Sequence, residues 1–305
     1  MKRILKIATR KSPLALWQAE YVKSQLLLLH PDLEIELIKM TTQGDQILNS
    51  PLSKIGGKGL FIKELEVGML EGRADIAVHS MKDVPYAIPE EFELGAVMAR
   101  ENPFDAFVSN NYNHLSELPQ GARVGSCSMR RVVQIKAIRS DLEILDLRGN
   151  VNTRLRKLDD GEYDAIILAC AGLIRLGFED RIRHPLDANT SLPAAGQGAL
   201  GIEIRKGDSE IAELIQGLID QDAMTTVLAE RAMNATLEGG CSVPIAGYAT
   251  IDGKVLTLKG LVGNVSTGEI LTEECAGLIS DPEALGKLVA NNLIARGAKK
   301  LLQED

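Results

Sequence analysis

The feature that most constrains the fold is a regular alternation of short apolar runs with longer amphipathic stretches. The apolar runs fall at residues 4–8, 35–40, 75–78, 124–125, 144–147 and 165–169. The stretches with helical spacing fall at residues 13–29, 60–70, 129–138 and 151–158. This alternation predicts βαβ units and mostly parallel sheets, and therefore an α/β fold. Ser12 followed by Pro13 favours a helix start at that point.

Two proline-containing segments predict crossings between two α/β domains. Asn102-Pro103 separates two strand-like runs, and residues 192–198 (Leu-Pro-Ala-Ala-Gly-Gln-Gly) precede another run at 200–204. A chain that leaves its first domain and returns to it makes that domain discontinuous. A cleft between two domains joined by two crossings is a common ligand-binding arrangement.

The pattern changes after about Ala223 and predicts a small C-terminal α+β domain. A helical stretch at 225–237 leads into Gly239-Gly240-Cys241, and three strand-like runs and a final amphipathic helix at 282–295 follow. The predicted domains are residues 1–98 with 199–217, residues 103–192, and residues 221–305.

Composition argues against several functional classes. The net charge of -8 gives a surface field that repels nucleic acid and anionic membranes. The longest uncharged apolar run, residues 165–174, is about half the length of a membrane span. The apolar stretch at the N-terminus is interrupted by Lys6 and is too short for a signal-peptide core. We therefore expect a cytoplasmic protein that binds neither nucleic acid nor membranes.

Cysteine and histidine spacing predicts neither disulfides nor a metal site. The four cysteines form no CxxC pair, and the four histidines are scattered without an HExxH or Cys/His cluster. Free thiols are the expected state in the cytoplasm.

Three predicted strands end in loops that combine small polar residues with basic ones, just before a helix. These loops are residues 9–12, 126–131 and 148–154. Carboxyl ends of parallel strands form the ligand crevice, helix N-termini favour anions, and arginine pairs with carboxylates through two hydrogen bonds. One loop alone is typical of ordinary surface charge. Three together predict a ligand that bears many carboxylates or phosphates.

The segment His79-Ser80-Met81-Lys82-Asp83-Val84-Pro85 follows the run at 75–78 and supplies an acid at a strand end. Asp83 suits the stabilisation of a developing cation or the transfer of a proton. An aspartate that caps a helix beside a solvated Lys82 is the alternative interpretation, and the local sequence leaves both open.

Two glycine-rich segments complete the set of candidate sites. Gly56, Gly57 and Gly59 predict a mobile loop or lid, but Lys58 precedes Gly59, so the segment is no phosphate-binding Walker A loop. Cys241 follows two glycines that leave room around its sulfur, which permits covalent attachment or nucleophilic use. A small buried hydrophobic side chain is the commoner state of a lone cysteine, and the local sequence leaves both open.

Five segments, in order along nearly the whole chain, together resemble the porphobilinogen deaminase (hydroxymethylbilane synthase) family. They are Ala-Thr-Arg-Lys-Ser-Pro-Leu-Ala-Leu at 8–16, His-Ser-Met-Lys-Asp-Val-Pro at 79–85, Leu-Arg-Gly-Asn-Val at 147–151, Leu-Pro-Ala-Ala-Gly-Gln-Gly at 192–198 and Glu-Gly-Gly-Cys-Ser-Val-Pro at 238–244. The resemblance implies two α/β lobes like those of type II periplasmic binding proteins, plus the small C-terminal α+β domain. It also implies a monomer.

The activity that this resemblance implies is the head-to-tail condensation of four porphobilinogen molecules, with ammonia released at each step and hydroxymethylbilane as the product for haem synthesis. It implies a covalent dipyrromethane cofactor, held as a thioether to Cys241, and no metal. Asp83 matches the catalytic aspartate. Residues implied to bind the cofactor are Cys241, Lys82, Asp83, Ser128, Arg130 and Arg131. Residues implied to bind substrate and the growing chain are Arg10, Ser12, Arg148, Arg154, Arg175 and Gln197. Lys58 and Phe61 match the lid.

Two positions depart from the family pattern. Cys127 stands where serine is expected, and a thiol is the weaker hydrogen-bond partner. Phe104 stands where arginine is common.

Two other functions compete with this interpretation. A non-catalytic, two-lobed anion-binding protein would have no need of the third domain. A phosphate-transferring enzyme that uses the glycines at 56–59 would need a magnesium-binding pattern, and the sequence contains none.

Overall fold

The computed structural model describes residues 4–42, 62–240 and 243–303. The predicted lid residues Lys58 and Phe61 and the predicted attachment residue Cys241 lie outside these ranges. Contacts within the chain define two compact units, Met1–Arg100 with Ala199–Met224 and Glu101–Gly198 with Thr225–Asp305. The three-domain division stays a prediction.

The strands are β1 Ile4–Arg10, β2 Glu34–Met40, β3 Ile76–Ser80, β4 Phe92–Val97, β5 Asp105–Val108, β6 Arg123–Gly125, β7 Glu143–Leu145, β8 Ala165–Ala169, β9 His184–Leu186, β10 Leu200–Arg205, β11 Ile245–Asp252, β12 Val255–Gly263 and β13 Ile270–Leu278. The α-helices are α1 Pro13–Leu29, α2 Lys63–Leu70, α3 Met129–Ile138, α4 Val151–Asp159, α5 Cys170–Arg175, α6 Ser209–Ile215, α7 Gln221–Thr236, α8 Pro282–Ala295 and α9 Ala298–Gln303.

The first unit contains a five-stranded sheet in the order β2-β1-β3-β10-β4. Strand β1 pairs in parallel with β2 and β3, whereas β10 is antiparallel to both of its neighbours. Helix α1 packs Ala19, Val22 and Leu26 on one face of the sheet because these positions share one side of a helix. Helix α2 packs Leu65 and Met69 in a separate cluster with Ala8 and Ala77.

The second unit contains a five-stranded sheet of the same arrangement, in the order β7-β6-β8-β5-β9. Strand β6 is parallel to β7 and β8, and β5 is antiparallel to β8 and β9. The α/β class is confirmed, but the expectation of mostly parallel sheets is wrong for half of the strand pairings. The reason is that β5 and β10 enter their sheets directly after the crossings, so no helical crossover connection requires them to be parallel.

The C-terminal part of the second unit is an antiparallel sheet in the order β11-β12-β13 with three helices packed on it. Buried positions of β12 alternate along the strand at Leu256 and Leu258, which pack against Val289 and Leu293 of α8. The sequence predicts this C-terminal part well because β12 and β13 alternate less and more exposed residues and because Asp281 and Pro282 mark the start of α8. Its α+β character is confirmed.

The two crossing segments lie side by side. The amide of Glu101 donates to the carbonyl oxygen of Gly198 at 3.2 Å. Gly198 has a φ of 91°, and a Cβ atom there would collide with the Glu101 carbonyl oxygen. The close approach of two backbones therefore requires glycine at this position.

Within residues 4–42, 62–240 and 243–303, no helix is long and apolar enough to cross a membrane. In the same ranges, no three His, Cys, Asp or Glu side chains group as a metal site would require.

Candidate active site

The carboxyl ends of β1 and β3 form one edge of the first unit's sheet, because the two strands are parallel neighbours. Arg10 ends β1, and Ser12 caps α1 by accepting a hydrogen bond from the amide of Ala15 at 3.4 Å. A 3₁₀ turn at Met81–Asp83 follows β3 directly. The side chains of Arg10, Ser12 and Asp83 line a single cavity at this edge. The structure thus brings together three of the residues singled out from the sequence.

The turn that carries Lys82 and Asp83 is fixed by its first residue. Met81 is buried, and its amide donates to the carbonyl oxygen of Ala199 at 3.0 Å. The amide of Val84 donates back to the carbonyl oxygen of Met81 at 3.2 Å. Lys82 and Asp83 are both half-buried, so their charged groups remain accessible from a rigid support.

Three further polar side chains line the same cavity and were given no role from the sequence: Gln18, His79 and Ser80. Gln18 lies on the buried stripe of α1 and donates from Nε2 to Oγ of Ser80 at 2.7 Å. A glutamine on an otherwise apolar helix face was the available signal, since a buried amide needs partners.

His79, which lines the cavity, also belongs to a group of interacting ionisable side chains. Its Nε2 atom lies 2.9 Å from Oε2 of Glu203 on β10. The half-buried carboxyl group of Glu66 on α2 also belongs to this group. Burial, with the nearby charge of Glu203, raises the pKa of Glu66 to about 7.

In the second unit, the loop between β6 and α3 carries Ser126, Cys127 and Ser128. Ser126 is buried, and its Oγ accepts from the amide of Ser128 at 3.3 Å. Ser128 is the N-cap residue of α3, so its position lies at the positive end of the helix. Cys127, which replaces the expected serine, is exposed.

The neighbouring loop, between β7 and α4, carries Arg148 and Arg154. Asn150 caps α4 by accepting from the amide of Thr153 at 2.9 Å, and Gly149 before it has a φ of 113°. Arg148 contacts Oδ2 of Asp146 at 3.2 Å, and Nε of Arg154 donates to the carbonyl oxygen of Gly149 at 2.7 Å. Since β6 and β7 are parallel neighbours, their two loops lie at the same sheet edge.

Arg175 and Gln197 are both buried in the second unit near the crossing. Arg175 donates from Nη2 to the carbonyl oxygen of Gly198 at 2.6 Å, and Gln197 donates from Nε2 to the carbonyl oxygen of Pro103 at 2.7 Å. The adjacent departure from the family pattern, Phe104, packs its ring against Tyr248 with centroids 5.6 Å apart. An aromatic contact therefore occupies the place where arginine is common.

Arg130 and Arg131 are nearly buried, at 4% and 6% exposure, and both bind the carboxylate of Asp105. Burial alone would raise the pKa of Asp105, but the two guanidinium charges and their hydrogen bonds hold it far below the ordinary range of aspartate. Asp105 is not among the residues predicted from the sequence to belong to the site. An acid at the start of the otherwise apolar, fully buried strand β5 was the available signal.

Both units thus present cationic and hydroxyl side chains at the ends of parallel strands, an arrangement typical of α/β proteins that bind anionic ligands. Residues 5–213 match the family model described as porphobilinogen deaminase, dipyromethane cofactor binding domain, and residues 224–295 match the model of the C-terminal domain of the same family. The chain belongs to the porphobilinogen deaminase family.

Curated relatives support the same assignment over the full length. The chain is 64% identical over 304 residues to the porphobilinogen deaminase of Vesicomyosocius okutanii, covering 100% of both chains. It is 66% identical over 303 residues to that of Ruthia magnifica, covering 99% of this chain and 100% of the relative. The predicted function is therefore confirmed: the protein is a transferase of tetrapyrrole synthesis that acts on porphobilinogen and uses a dipyrromethane cofactor.

Comparison with solved structures found similarity to the following two proteins, among others. The Bordetella pertussis BvgS periplasmic VFT2 domain has a TM-score of 0.44 and 16% identity, with 73% of this chain and 91% of that chain covered. A putative methionine-binding lipoprotein from Bacillus subtilis has a TM-score of 0.44 and 13% identity, with 71% of this chain and 90% of that chain covered.

Proposed function

We propose that Asp83 is the catalytic carboxylate of this deaminase. The observation that supports this role is that Asp83 shares one cavity with Arg10 and Ser12 at the carboxyl ends of β1 and β3. Loss of ammonia from porphobilinogen leaves positive charge on the pyrrole methylene, and a fixed carboxylate stabilises that charge. The same carboxylate accepts or returns the proton that each condensation displaces.

Arg10 and Ser12 bind the incoming substrate in this proposal. Porphobilinogen carries an acetate and a propionate group, and a guanidinium binds a carboxylate with two parallel hydrogen bonds. Ser12 caps α1, so the partial positive charge of the helix N-terminus adds to that of Arg10. Arg148, Arg154, Arg175 and Gln197 bind the substrate and the growing chain, and Lys58 and Phe61 form the lid.

The cofactor is attached through a thioether to Cys241, and its carboxylates are bound by Lys82, Ser128, Arg130 and Arg131. The donor set fits the group, because cationic side chains and a hydroxyl at a helix N-terminus suit a polycarboxylate. When bound, the dipyrromethane supplies the pyrrole carbon that attacks the first substrate. Asp83 would accept hydrogen bonds from the pyrrole N–H groups of the bound cofactor.

The decisive experiment is the intact mass of the denatured protein, for the wild type and for Cys241→Ser. We expect the wild type to exceed its sequence mass by two deaminated porphobilinogen units, and the variant to match its sequence mass. If the purified wild type has only its sequence mass, it is incubated with preformed hydroxymethylbilane and its intact mass is measured again. If no mass is gained, or if Cys241→Ser still carries the excess, the proposed attachment is wrong.

The protein acts as a cytoplasmic monomer and binds neither nucleic acid nor membranes in this proposal. The net charge of -8 supports the last two statements, because both surfaces are anionic. Light scattering coupled to size-exclusion chromatography tests the first: the proposal requires a mass near 33.0 kDa. A dimer mass that persists on dilution contradicts it.

A further inference from the structure

Asp105 is the meeting point of four side chains in the second unit. Its Oδ2 atom accepts from Nη1 of Arg130 and from Oγ of Ser191, both at 2.8 Å. Its Oδ1 atom accepts from Nε of Arg131 at 2.9 Å and from Nε2 of Gln197 at 3.0 Å. Asp105 has 0% exposure, so this carboxylate contacts protein atoms alone within the described part of the chain.

Stabilisation of the fold does not by itself explain why an acid occupies position 105. The other three residues of β5, Ala106 to Val108, are all buried and apolar. Burying a carboxylate and two guanidinium groups has a large desolvation cost, and replacing such a group by apolar side chains is often neutral or stabilising. A buried ionic network fixes the direction of each charged group, which apolar packing does not do.

Arg130 and Arg131 need a common partner to fix their directions because they are consecutive on α3. Successive helical positions point about 100° apart, so their side chains diverge from the backbone. Asp105 brings both guanidinium groups to one carboxylate. Each group has a second anchor: Arg130 donates to the carbonyl oxygen of Leu192 at 2.7 Å, and Arg131 to that of Ile167 at 3.1 Å.

The same carboxylate also orients the segment that begins at Ser191. Gln134, one turn after Arg130 on α3, accepts from the amide of Leu192 at 2.7 Å and donates to its carbonyl oxygen at 3.1 Å. Gln197, farther along the segment, is held by Asp105 and by Pro103. Three residues expected to bind ligand, Arg130, Arg131 and Gln197, thus depend on one acid.

We infer that Asp105 is the positioning residue that orients Arg130, Arg131 and Gln197 for the carboxylates of the dipyrromethane cofactor and the growing chain. The inference rests on the proposed roles of these three residues. A guanidinium carries five N–H donors in a rigid fork, so a side chain held by Asp105 along one edge donates to a ligand carboxylate from another. One carboxylate between two guanidinium groups leaves a net positive charge for that ligand.

The test is a double-mutant cycle on the full chain between Asp105→Glu and Cys241→Ser. Asp105→Glu keeps the charge and shifts it by one methylene, and Cys241→Ser removes the proposed attachment point. The melting temperature of all four proteins is measured. A positioning role predicts that Asp105→Glu lowers the melting temperature more when the cofactor is attached, so that the two effects are not additive. A purely structural role predicts the same shift in both backgrounds.

Cofactor occupancy by intact mass and the kinetics of porphobilinogen consumption accompany the cycle. We expect Asp105→Glu to reduce occupancy and to lower kcat/KM by about 10–100-fold, as misplacement of binding groups does. Asp164→Glu is the matched control, because Asp164 binds Arg123 in the same unit and touches none of the three ligand residues. That control must leave occupancy unchanged. Ser191→Ala, which removes one hydrogen bond from an uncharged donor to Asp105, must shift occupancy in the same direction as Asp105→Glu, and it decides the question if Asp105→Glu fails to fold.

The outcomes separate the inference from the proposed function. A wild-type protein that gains no mass, even with preformed hydroxymethylbilane, rejects the attachment at Cys241. A wild type that carries the cofactor, together with an additive cycle and full occupancy in Asp105→Glu and Ser191→Ala, rejects the positioning role of Asp105 alone.

Discussion

The Nε2 atom of His79 lies 2.9 Å from the Oε2 atom of Glu203, and both side chains are buried in the first unit. Strand β3 supplies the histidine and the antiparallel strand β10 supplies the acid. The pair therefore ties the strand that leads into Asp83 to the strand that returns from the crossing. Its loss affects both stability and the support of the cavity.

Glu203→Ala is expected to destabilise the protein strongly. Removal of one partner leaves the buried imidazole of His79 without its hydrogen-bond partner, and an unpaired buried polar group costs about 1–3 kcal/mol. Urea unfolding measures this change. Glu36→Ala, at an exposed position of β2 in the same sheet, is the control and should stay within about 0.5 kcal/mol of the wild type. A loss below about 1 kcal/mol for Glu203→Ala means that the pair is dispensable.

Glu66 gives the first unit a specific dependence on pH. Burial and the charge of Glu203 raise its pKa from 4.5 to about 7, so the folded state favours the protonated carboxyl. Stability from this group is fully present below the ordinary pKa of 4.5 and is lost as the pH rises through about 7. Glu66→Gln, which is neutral at every pH, should match the wild type at low pH and exceed its melting temperature at about pH 8.

The measurement for Glu66 is the difference in melting temperature between Glu66→Gln and the wild type across that range. Taking the difference at each pH cancels the titration that both proteins share. A difference that does not change with pH contradicts the raised pKa of Glu66.

Asp83→Asn should retain the cofactor and lose most of its turnover. The amide keeps the size of the side chain but removes the negative charge, and the loss of one stabilising group of this kind costs about 10²–10³-fold in kcat. Intact mass checks the cofactor, and porphobilinogen consumption checks turnover. Asp32→Asn, an exposed acid in the same unit, is the control. Near-normal turnover in Asp83→Asn would show that Asp83 is not the catalytic carboxylate.

The clustering of the candidate site within each unit was predictable from the sequence because it follows from local rules. Parallel strands end at the same edge, so a loop after β1 and a turn after β3 had to lie close together. The helix at 282–295 was predicted at its observed bounds because Asp281 and Pro282 mark its start and its apolar positions have helical spacing.

What the sequence could not predict depends on pairing between distant residues. Asp105 is 25 residues from Arg130 and 92 from Gln197, and no local pattern says that these side chains meet. Glu203 and His79 are 124 residues apart. Helix α5 was missed for another reason: it continues the buried run of β8, and a short apolar run surrounded by protein has no distinguishing period.

Arg148→Ala should impair elongation while leaving folding nearly intact. The guanidinium of Arg148 contacts an exposed carboxylate, that of Asp146, at 3.2 Å, and such surface pairs contribute about 0–1 kcal/mol. A charge-assisted hydrogen bond to a substrate carboxylate contributes about 1.5–3 kcal/mol, so kcat/KM should fall by roughly 10–100-fold. Masses of the protein after limited exposure to porphobilinogen show how many units the chain has gained.

Arg181→Ala is the matched variant for this test, since Arg181 forms a surface pair with Asp159 at 2.7 Å in the same unit and has no expected ligand. Both variants should unfold at nearly the wild-type urea concentration, and only Arg148→Ala should accumulate short chains. If Arg148→Ala unfolds much earlier than Arg181→Ala, the arginine supports the loop between β7 and α4. If the two variants elongate equally well, Arg148 does not bind the growing chain.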